Sequence, residues 1–244
     1  MLIQTKAIVL RHTDFSETSR IITVFSRDKG KFAIMIKGFR RPKSKYAGII
    51  TYGSILDLIV YYKQSRSVQT LKEADSAQSI LKLQYDFEKM ALTMNLLELI
   101  DLSTHEHEVN SDLYDFLEAF LGWLNTTEQP ANALFPYLQM RIAELNGIGI
   151  QYNSDNSSAT SWLNIIEGSI ADTPNNGLAF KLKSIQKEYI RIAMQGGTTR
   201  LLTINLTKLE LKELINHLDV YLKHHIDGLR DRKSDFIFEQ ILDA

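Results

Sequence analysis

The sequence predicts an α+β protein, with an N-terminal five-stranded β-barrel followed by an all-α helical domain. Residues 1–75 contain five short segments that are rich in β-branched and aromatic residues and are separated by turn residues. From residue 77 onward, apolar residues recur at three- and four-residue steps, the spacing of amphipathic helices. The formal charge also divides, +8 over residues 1–80 and -9 over residues 81–244. A basic barrel on an acidic helical body indicates an anionic partner for the barrel.

Five strands account for the N-terminal region. A turn at Asp28-Lys-Gly30 joins the second strand to the third, and the polar tract 63–67 separates the last two. Five strands in so short a region favour a small closed barrel, which removes exposed sheet edges, and an SH3-like barrel fits the same pattern. The predicted strands are Leu2–Leu10, Ile21–Ser26, Phe32–Ile36, Ile55–Tyr62 and Val68–Ala74.

Helices dominate the remainder of the chain. Asn110 or Ser111 is expected to cap the second helix, and Gly147 ends the third. Asn153–Thr160 is rich in turn residues and predicts a loop, and Ser161–Ala171 fits either a strand pair or an irregular segment. The predicted helices are Ala77–Ser103, Ser111–Leu124, Ala131–Asn146, a helix opened by 174–177 and ending near Met194, Thr207–His225 and Ser234–Leu242.

Motifs of catalysis and cofactor binding are missing from the sequence. It has neither a phosphate-binding loop nor a dinucleotide-binding glycine pattern, and no cysteine. His105 and His107 stand at alternate positions near a helix end, where their rings would diverge too far to share a metal. The sequence therefore predicts a protein that is not an enzyme and needs no cofactor.

The first residues and the hydropathy of the chain bear on its location. The start, MLIQTKAIVLRHTDFSE, lacks the pattern of a signal peptide. No apolar run approaches the roughly 20 residues of a membrane span. We expect a cytoplasmic protein that binds no membrane.

Positive charge is concentrated in Lys37–Lys45, KGFRRPKSK. Between Lys29 and Ser54 there are seven Lys and Arg residues and no Asp or Glu. Such cations neutralise phosphates, and Phe39 and Tyr46 would offer faces for unpaired bases. A solvated basic loop with buried aromatic rings is the alternative. The residues expected to contact DNA are Lys37, Arg40, Arg41, Lys43 and Lys45, with Lys29, Arg20, Arg27 and Arg66 as an extension.

Several motifs resemble those of the RecO family of bacterial recombination mediators. TKAIVLR at 5–11 and DFSETSR at 14–20 are similar to the family's opening, and Gly30-Lys31 and KGFRRPKS at 37–44 follow in the family's order. Weaker similarity continues further along the chain. The segments that carry it are Tyr137–Gly147, Tyr221–His225, Leu229 and Lys233-Ser234.

The resemblance implies an oligonucleotide-binding (OB) barrel, here residues 1–78, and a helical domain, residues 79–244. It implies binding to single- and double-stranded DNA, annealing of complementary strands, and assistance to RecA loading on DNA coated with single-strand-binding protein, together with RecR. Such a protein would be associated with the nucleoid. Local basic residues of the helical domain, Arg141 and Lys187 or Arg191, are candidates for gripping the acidic tail of single-strand-binding protein.

One departure from the family concerns zinc. Many members carry a four-cysteine zinc module where this chain has residues 149–177, which contain neither Cys nor His. We therefore expect no metal, and a small irregular insert at 149–177 in place of the zinc module.

Two other functions fit a basic barrel. One is an RNA-binding OB module, because OB barrels bind both polymers. The other is a non-catalytic protein-interaction scaffold whose basic loop meets an acidic protein tail. Matched DNA and RNA oligonucleotides would distinguish the first from a DNA mediator, and competition between DNA and an acidic peptide would distinguish the second.

Overall fold

The computed structural model describes residues 1–129, 132–154, 160–175, 177–196 and 198–243, without the side chains of residues 198, 239 and 241–243. The chain forms two compact units, one of Met1–Thr127 with Arg232–Asp235 and the other of Glu128–Asp231 with Phe236–Ala244. No helix in the described ranges is both long and apolar enough to cross a membrane.

The first unit contains the predicted five-stranded barrel. Its strands close in the order β1-β2-β3-β5-β4, so β1 pairs with both β2 and β4, and β3 and β5 run parallel. The five predicted strands are confirmed, with β1 and β5 each four residues longer than expected. The strands are β1 Leu2–Asp14, β2 Arg20–Ser26, β3 Gly30–Ile36, β4 Ile55–Tyr61 and β5 Val68–Gln78.

Alternating burial explains why these segments form a barrel. Along β3, every second residue from Gly30 to Ile36 is buried and the residues between them are half-buried. Phe32, Ile34 and Ile36 point inward and join Val24 and Leu58 in one apolar cluster. Burial of these side chains drives closure, since each buried aliphatic or aromatic side chain contributes about 1.5–3 kcal/mol.

Three helices complete the first unit, α1 Leu81–Tyr85, α2 Phe87–Ser103 and α3 Ser111–Thr126. The single helix predicted over Ala77–Ser103 is wrong, because β5 continues to Gln78 and the helix breaks at Asp86. Asp86 has extended backbone angles, and its side chain accepts a hydrogen bond from the Lys89 N–H, so it caps α2. β5 ends at Gln78, the residue at which the barrel domain was expected to end. We propose that residues 1–78 form the barrel domain.

Residues 232–235 return to the first unit and lie on α2. The Glu98 carboxylate accepts hydrogen bonds from the N–H groups of Lys233 (3.0 Å) and Ser234 (2.8 Å) and from the Ser234 hydroxyl (2.6 Å). These bonds and the nearby Arg232 keep the pKa of Glu98 below its usual value despite burial, which acts in the opposite direction. This four-residue segment is therefore held by hydrogen bonds to a charged acceptor.

The second unit combines helices with a small four-stranded sheet of order β6-β8-β7-β9. Three of these strands come from residues 149–177, so the expectation of an irregular insert is wrong where the structure describes this segment. The strand pair within Ser161–Ala171 is confirmed, and most of the predicted loop 153–160 lies outside the described residues. The strands are β6 Gln151–Tyr152, β7 Ser161–Asn164, β8 Ser169–Ala171 and β9 Ala179–Leu182.

The helices of the second unit largely follow the predicted spacing. The helix expected to open at 174–177 begins later, because residues 179–182 pair with β7, and its first residue is Ser184. Thr207 caps α7, accepting from the Glu210 N–H at 3.2 Å. A 3-10 helix at Asn132–Leu134 precedes α4 Phe135–Leu145, and the others are α5 Ser184–Met194, α6 Thr198–Leu201, α7 Lys208–His225 and α8 Asp235–Asp243.

Candidate nucleic-acid interface

The connection between β3 and β4 contains the cation-rich segment Lys37–Lys45, here called the basic connection. Because β1, β2, β3 and β4 run alternately up and down, the β1–β2 turn (residues 15–19) lies at the same barrel end as the basic connection. The β2–β3 turn (27–29) and the β4–β5 loop (62–67) lie at the opposite end. Seven-residue strands separate the two ends by about 20 Å.

Apolar side chains hold the basic connection and the residues that follow it on the barrel. Phe39 is 5% exposed and Ile50 is 1% exposed, and both belong to the barrel core, against which Tyr46 and Ile49 pack. Gly38 has φ +72°, a left-handed conformation that favours glycine. The expectation that Phe39 offers its face to a base is therefore wrong, because the core takes up the ring.

Four cations of the basic connection are exposed and have no ion pair within the described residues. Lys45 lies over the half-buried Tyr46 ring, with Nζ 5.0 Å from its centroid. A phosphate approaching them would displace water and counterions without first breaking an ion pair. These four residues are Lys37, Arg41, Lys43 and Lys45.

Two further arginines at this end share one carboxylate, in a group here called the Asp14 cluster (Asp14, Arg20 and Arg40). Arg20 Nε lies 2.8 Å from Asp14 Oδ1, and Arg40 Nε lies 3.5 Å from Oδ2. The Arg20 guanidinium also lies over the Phe39 ring at 4.3 Å. Hydrogen bonding from Arg20 lowers the pKa of Asp14. Both arginines are thus oriented by a carboxylate that sequence reasoning did not include in the site.

Arg40 also ties the basic connection to the β1–β2 turn. Its backbone N–H donates to the Thr18 carbonyl at 3.1 Å, and its guanidinium donates to the Ser16 carbonyl at 3.2 Å. The turn itself closes through the Phe15 N–H, which donates to the Ser19 carbonyl at 3.1 Å. Phe15 is 60% exposed. The turn and the basic connection therefore form one surface at this barrel end.

The remaining predicted DNA contacts lie at the opposite barrel end. Arg27 makes two hydrogen bonds to the Asp115 carboxylate of α3, at 2.8 and 2.9 Å, and these bonds lower the pKa of Asp115. Lys29 is half-buried, and Arg66 is exposed in the β4–β5 loop. The nine predicted cations therefore do not form one track, and the structure brings six of them together: Arg20, Lys37, Arg40, Arg41, Lys43 and Lys45.

Helices α2 and α3 neutralise a further part of the barrel's charge. Lys6 lies 3.3 Å from Glu118, and Asp101 accepts contacts from Arg11 at 2.7 Å and Lys31 at 3.2 Å. The net charge of +8 over residues 1–80 therefore overstates the positive charge that the barrel offers to a partner. The carboxylate partners of these cations are 70 to 112 residues away in the sequence, so only the fold shows that the cations are engaged.

The predicted partner-binding residues lie on α4 and α5 of the second unit. Arg141 makes an ion pair with Glu144 one turn along α4. Arg191 contacts both carboxylate oxygens of Glu188, at 3.0 and 2.6 Å, and Lys187 is half-buried on the same helix. Both arginines are thus held by neighbouring carboxylates of their own helices.

The described residues contain no group of three His, Cys, Asp or Glu side chains that could hold a metal ion. The exposed cations make the barrel end that carries the basic connection the candidate site, and their chemistry is recognition of anions. Arginine forks match phosphate oxygens geometrically, and lysines contribute point charges.

Two domain models of one protein family match the two parts of the chain. A family model described as "Recombination protein O N terminal" matches residues 1–80, and one described as "Recombination protein O C terminal" matches residues 84–235.

Full-length relatives include two proteins named DNA repair protein RecO. That of Chloroherpeton thalassium is 27% identical, over 99% of this chain and 100% of its own length, and that of Pelodictyon phaeoclathratiforme is 26% identical, over 99% of both. A third RecO, from Salinibacter ruber, is 33% identical over 60% of this chain and 56% of its own length. The chain therefore belongs to the RecO family, and its closed five-stranded barrel is the OB fold of the family's N-terminal domain.

Proposed function

We propose that this protein acts in DNA repair and homologous recombination as a non-catalytic mediator. It binds single- and double-stranded DNA, anneals complementary strands, and assists RecA loading on DNA coated with single-strand-binding protein, together with RecR. Membership of the RecO family supports the repair role. DNA as the partner also implies a cytoplasmic location at the nucleoid.

The observation that carries DNA contact is the basic connection, with four exposed cations that have no ion pair in the described part of the chain. Annealing is opposed by repulsion between two phosphate backbones, and cations held at one barrel end reduce it. Phosphate contacts carry no base information, so the binding is expected to be largely independent of sequence.

A fourfold variant tests this proposal. Changing Lys37, Arg41, Lys43 and Lys45 to Ala should flatten the slope of log affinity against log salt by about 3 for a single-stranded oligonucleotide, since each lost phosphate contact removes about 0.7. The measurement is fluorescence anisotropy of a labelled oligonucleotide at several salt concentrations. Folding should survive, because exposed substitutions usually change stability by less than about 0.5 kcal/mol.

The matched control removes the same charge from exposed cations of the second unit, with Lys181, Arg200, Lys208 and Arg230 changed to Ala. This control should keep most of the parent's slope. Equal losses in the two fourfold variants would show that only net charge matters and would remove the basic connection from the proposal. A matched RNA oligonucleotide bound more tightly than DNA would favour an RNA-binding module.

The finer activities need their own assay. The purified protein should anneal complementary strands covered by single-strand-binding protein, without ATP, and the fourfold variant of the basic connection should lose this activity.

We also propose Arg141, Lys187 and Arg191 as contacts for the acidic tail of single-strand-binding protein. Binding of that tail peptide should weaken when the three are changed to Ala, and unchanged peptide affinity would contradict this assignment.

A further inference from the structure

We propose that Phe15, in the β1–β2 turn, is a stacking platform for an unpaired nucleobase and that it gives this site a preference for single strands. The inference rests on the proposed DNA-binding function. It adds a contact between a base and Phe15, and a preference for single strands that this contact would produce.

Phe15 is the most exposed aromatic residue of the β1–β2 turn and the β3–β4 connection. Phe39 is 5% exposed within the barrel core, and Tyr46 packs partly against the same core beneath Lys45. Tyr52 is half-buried, and its ring lies against that of His12 in a tilted arrangement, with ring centroids 4.5 Å apart. Phe15 is 60% exposed, so much of its side chain is accessible to a ligand.

The surroundings of Phe15 suit a nucleotide better than an apolar partner. The carbonyl of the next residue, Ser16, accepts from the Arg40 guanidinium at 3.2 Å, so an arginine of the basic connection lies beside the turn. The six cations brought together at this end outnumber the two carboxylates of the turn region, Asp14 and Glu17. A ring beside a cationic surface can bind a base while the cations bind the backbone that carries it.

The backbone of the turn is already fixed. The Phe15 N–H donates to the Ser19 carbonyl at 3.1 Å, and the Ser19 N–H donates to the Ser16 hydroxyl at 3.2 Å. Ordering of the turn therefore adds little to the entropic cost of binding. In a duplex the base faces are covered by neighbouring bases, so this contact is available only to an unpaired base.

The test compares a labelled 20-nucleotide oligothymidine with a 20-base-pair duplex by fluorescence anisotropy. Phe15→Ala should weaken oligothymidine binding by about 5- to 150-fold, the loss that one base–aromatic stack accounts for. Duplex affinity should change by less than about twofold, and the salt slope on both ligands should stay at the parent's value because no charge is removed.

Three further variants separate stacking from other effects. Phe15→Leu keeps an apolar side chain without a π face and should behave like Phe15→Ala. Phe15→Trp should retain oligothymidine affinity, and it should show quenching of indole fluorescence on binding beyond that of the parent. Phe236→Ala removes a comparably exposed phenylalanine, 68% exposed, from helix α8 and should bind both ligands as the parent does.

If Phe15→Ala bound oligothymidine as the parent does, the inference would be overturned and the proposed function would stand. The same conclusion would follow if Phe15→Ala lost as much affinity for the duplex as for oligothymidine. A parent protein that bound neither ligand would overturn the proposed function, and the inference with it. Equal losses in Phe15→Ala and Phe236→Ala would show a general effect of apolar surface and would also overturn the inference.

Discussion

Asp14 shows how one side chain controls the charge that the barrel end presents. Its carboxylate oxygens lie 2.8 Å from Arg20 Nε and 3.5 Å from Arg40 Nε. They occupy the positions that the oxygens of a bound phosphate would take. The carboxylate therefore has two effects. It fixes the direction of both guanidinium groups, and in the proposed function it would compete with a DNA phosphate for them.

We predict that competition is the larger effect, because ion pairs at the surface hold long side chains in one orientation only weakly. Asp14→Asn should tighten binding of a single-stranded oligonucleotide by about 2- to 30-fold at low salt. It should also steepen the salt slope by up to about 1.4, the contribution of two added phosphate contacts. Anisotropy titrations at several salt concentrations measure both quantities.

Glu17→Gln is the matched control, since Glu17 is an exposed carboxylate of the adjacent β1–β2 turn with no ion pair in the described part of the chain. It makes the same change in charge without releasing an arginine, so its effect should be smaller. Weaker binding by Asp14→Asn than by the parent would show instead that Asp14 serves mainly to position the two arginines.

At the scale of elements, Gly30 at the start of β3 lies in close contact with the loop that precedes α3. Gly30 has φ +64°, and a Cβ added there would stand 2.0 Å from the Glu108 carbonyl oxygen. The His107 N–H donates to the Lys31 carbonyl at 2.9 Å, which fixes this approach. A side chain at position 30 would force the loop away from the strand.

Gly30→Ala should therefore lower the free energy of unfolding by about 2–5 kcal/mol, through the left-handed backbone and the steric overlap together. Chemical denaturation monitored by circular dichroism measures the loss. Gly48→Ala is the control, because nothing lies within 4 Å of the added Cβ and its backbone is not left-handed. Its unfolding free energy should change by less than about 0.5 kcal/mol, and equal losses at both positions would contradict the steric account.

The same elements show how far the sequence predicts the fold. The five strands follow from local patterns of β-branched residues and turn residues, and the Asp28–Gly30 turn was predicted because such turns have a local signature. The break at Asp86 was missed because apolar residues continue at helical spacing on both sides of it, and an aspartate is compatible with either a helix interior or a cap. Short strands such as β6 depend on partners 18 residues away, so no local signal reveals them.

For the site, the sequence shows where the cations are clustered, but it does not show which of them are free of ion pairs and so available to a ligand. KGFRRPKSK is a local feature and was found directly. Whether a cation is engaged depends on contacts such as Arg27–Asp115, between residues 88 positions apart. The burial of Phe39 and the exposure of Phe15 likewise result from barrel closure, which leaves no local trace in the residues around them.

For the whole molecule, net charge is a poor guide to DNA binding. The chain has a formal charge of -1, yet one barrel end collects six cations. At physiological ionic strength, exposed charges more than about 8 Å apart are largely screened from one another. The two barrel ends are about 20 Å apart, so each presents its own local charge to a ligand.

Two single-arginine variants compare the barrel ends directly. Arg41→Ala, in the basic connection, should reduce the magnitude of the salt slope for a single-stranded oligonucleotide by about 0.7. Arg27→Ala, at the opposite end, should leave the slope unchanged, because Arg27 is held by Asp115 and lies beyond the screening distance. It should instead lower the unfolding free energy slightly, because it removes an exposed ion pair. Equal changes in slope for the two variants would mean that DNA contacts both ends of the barrel, and a strand would then have to run along its side rather than across one end.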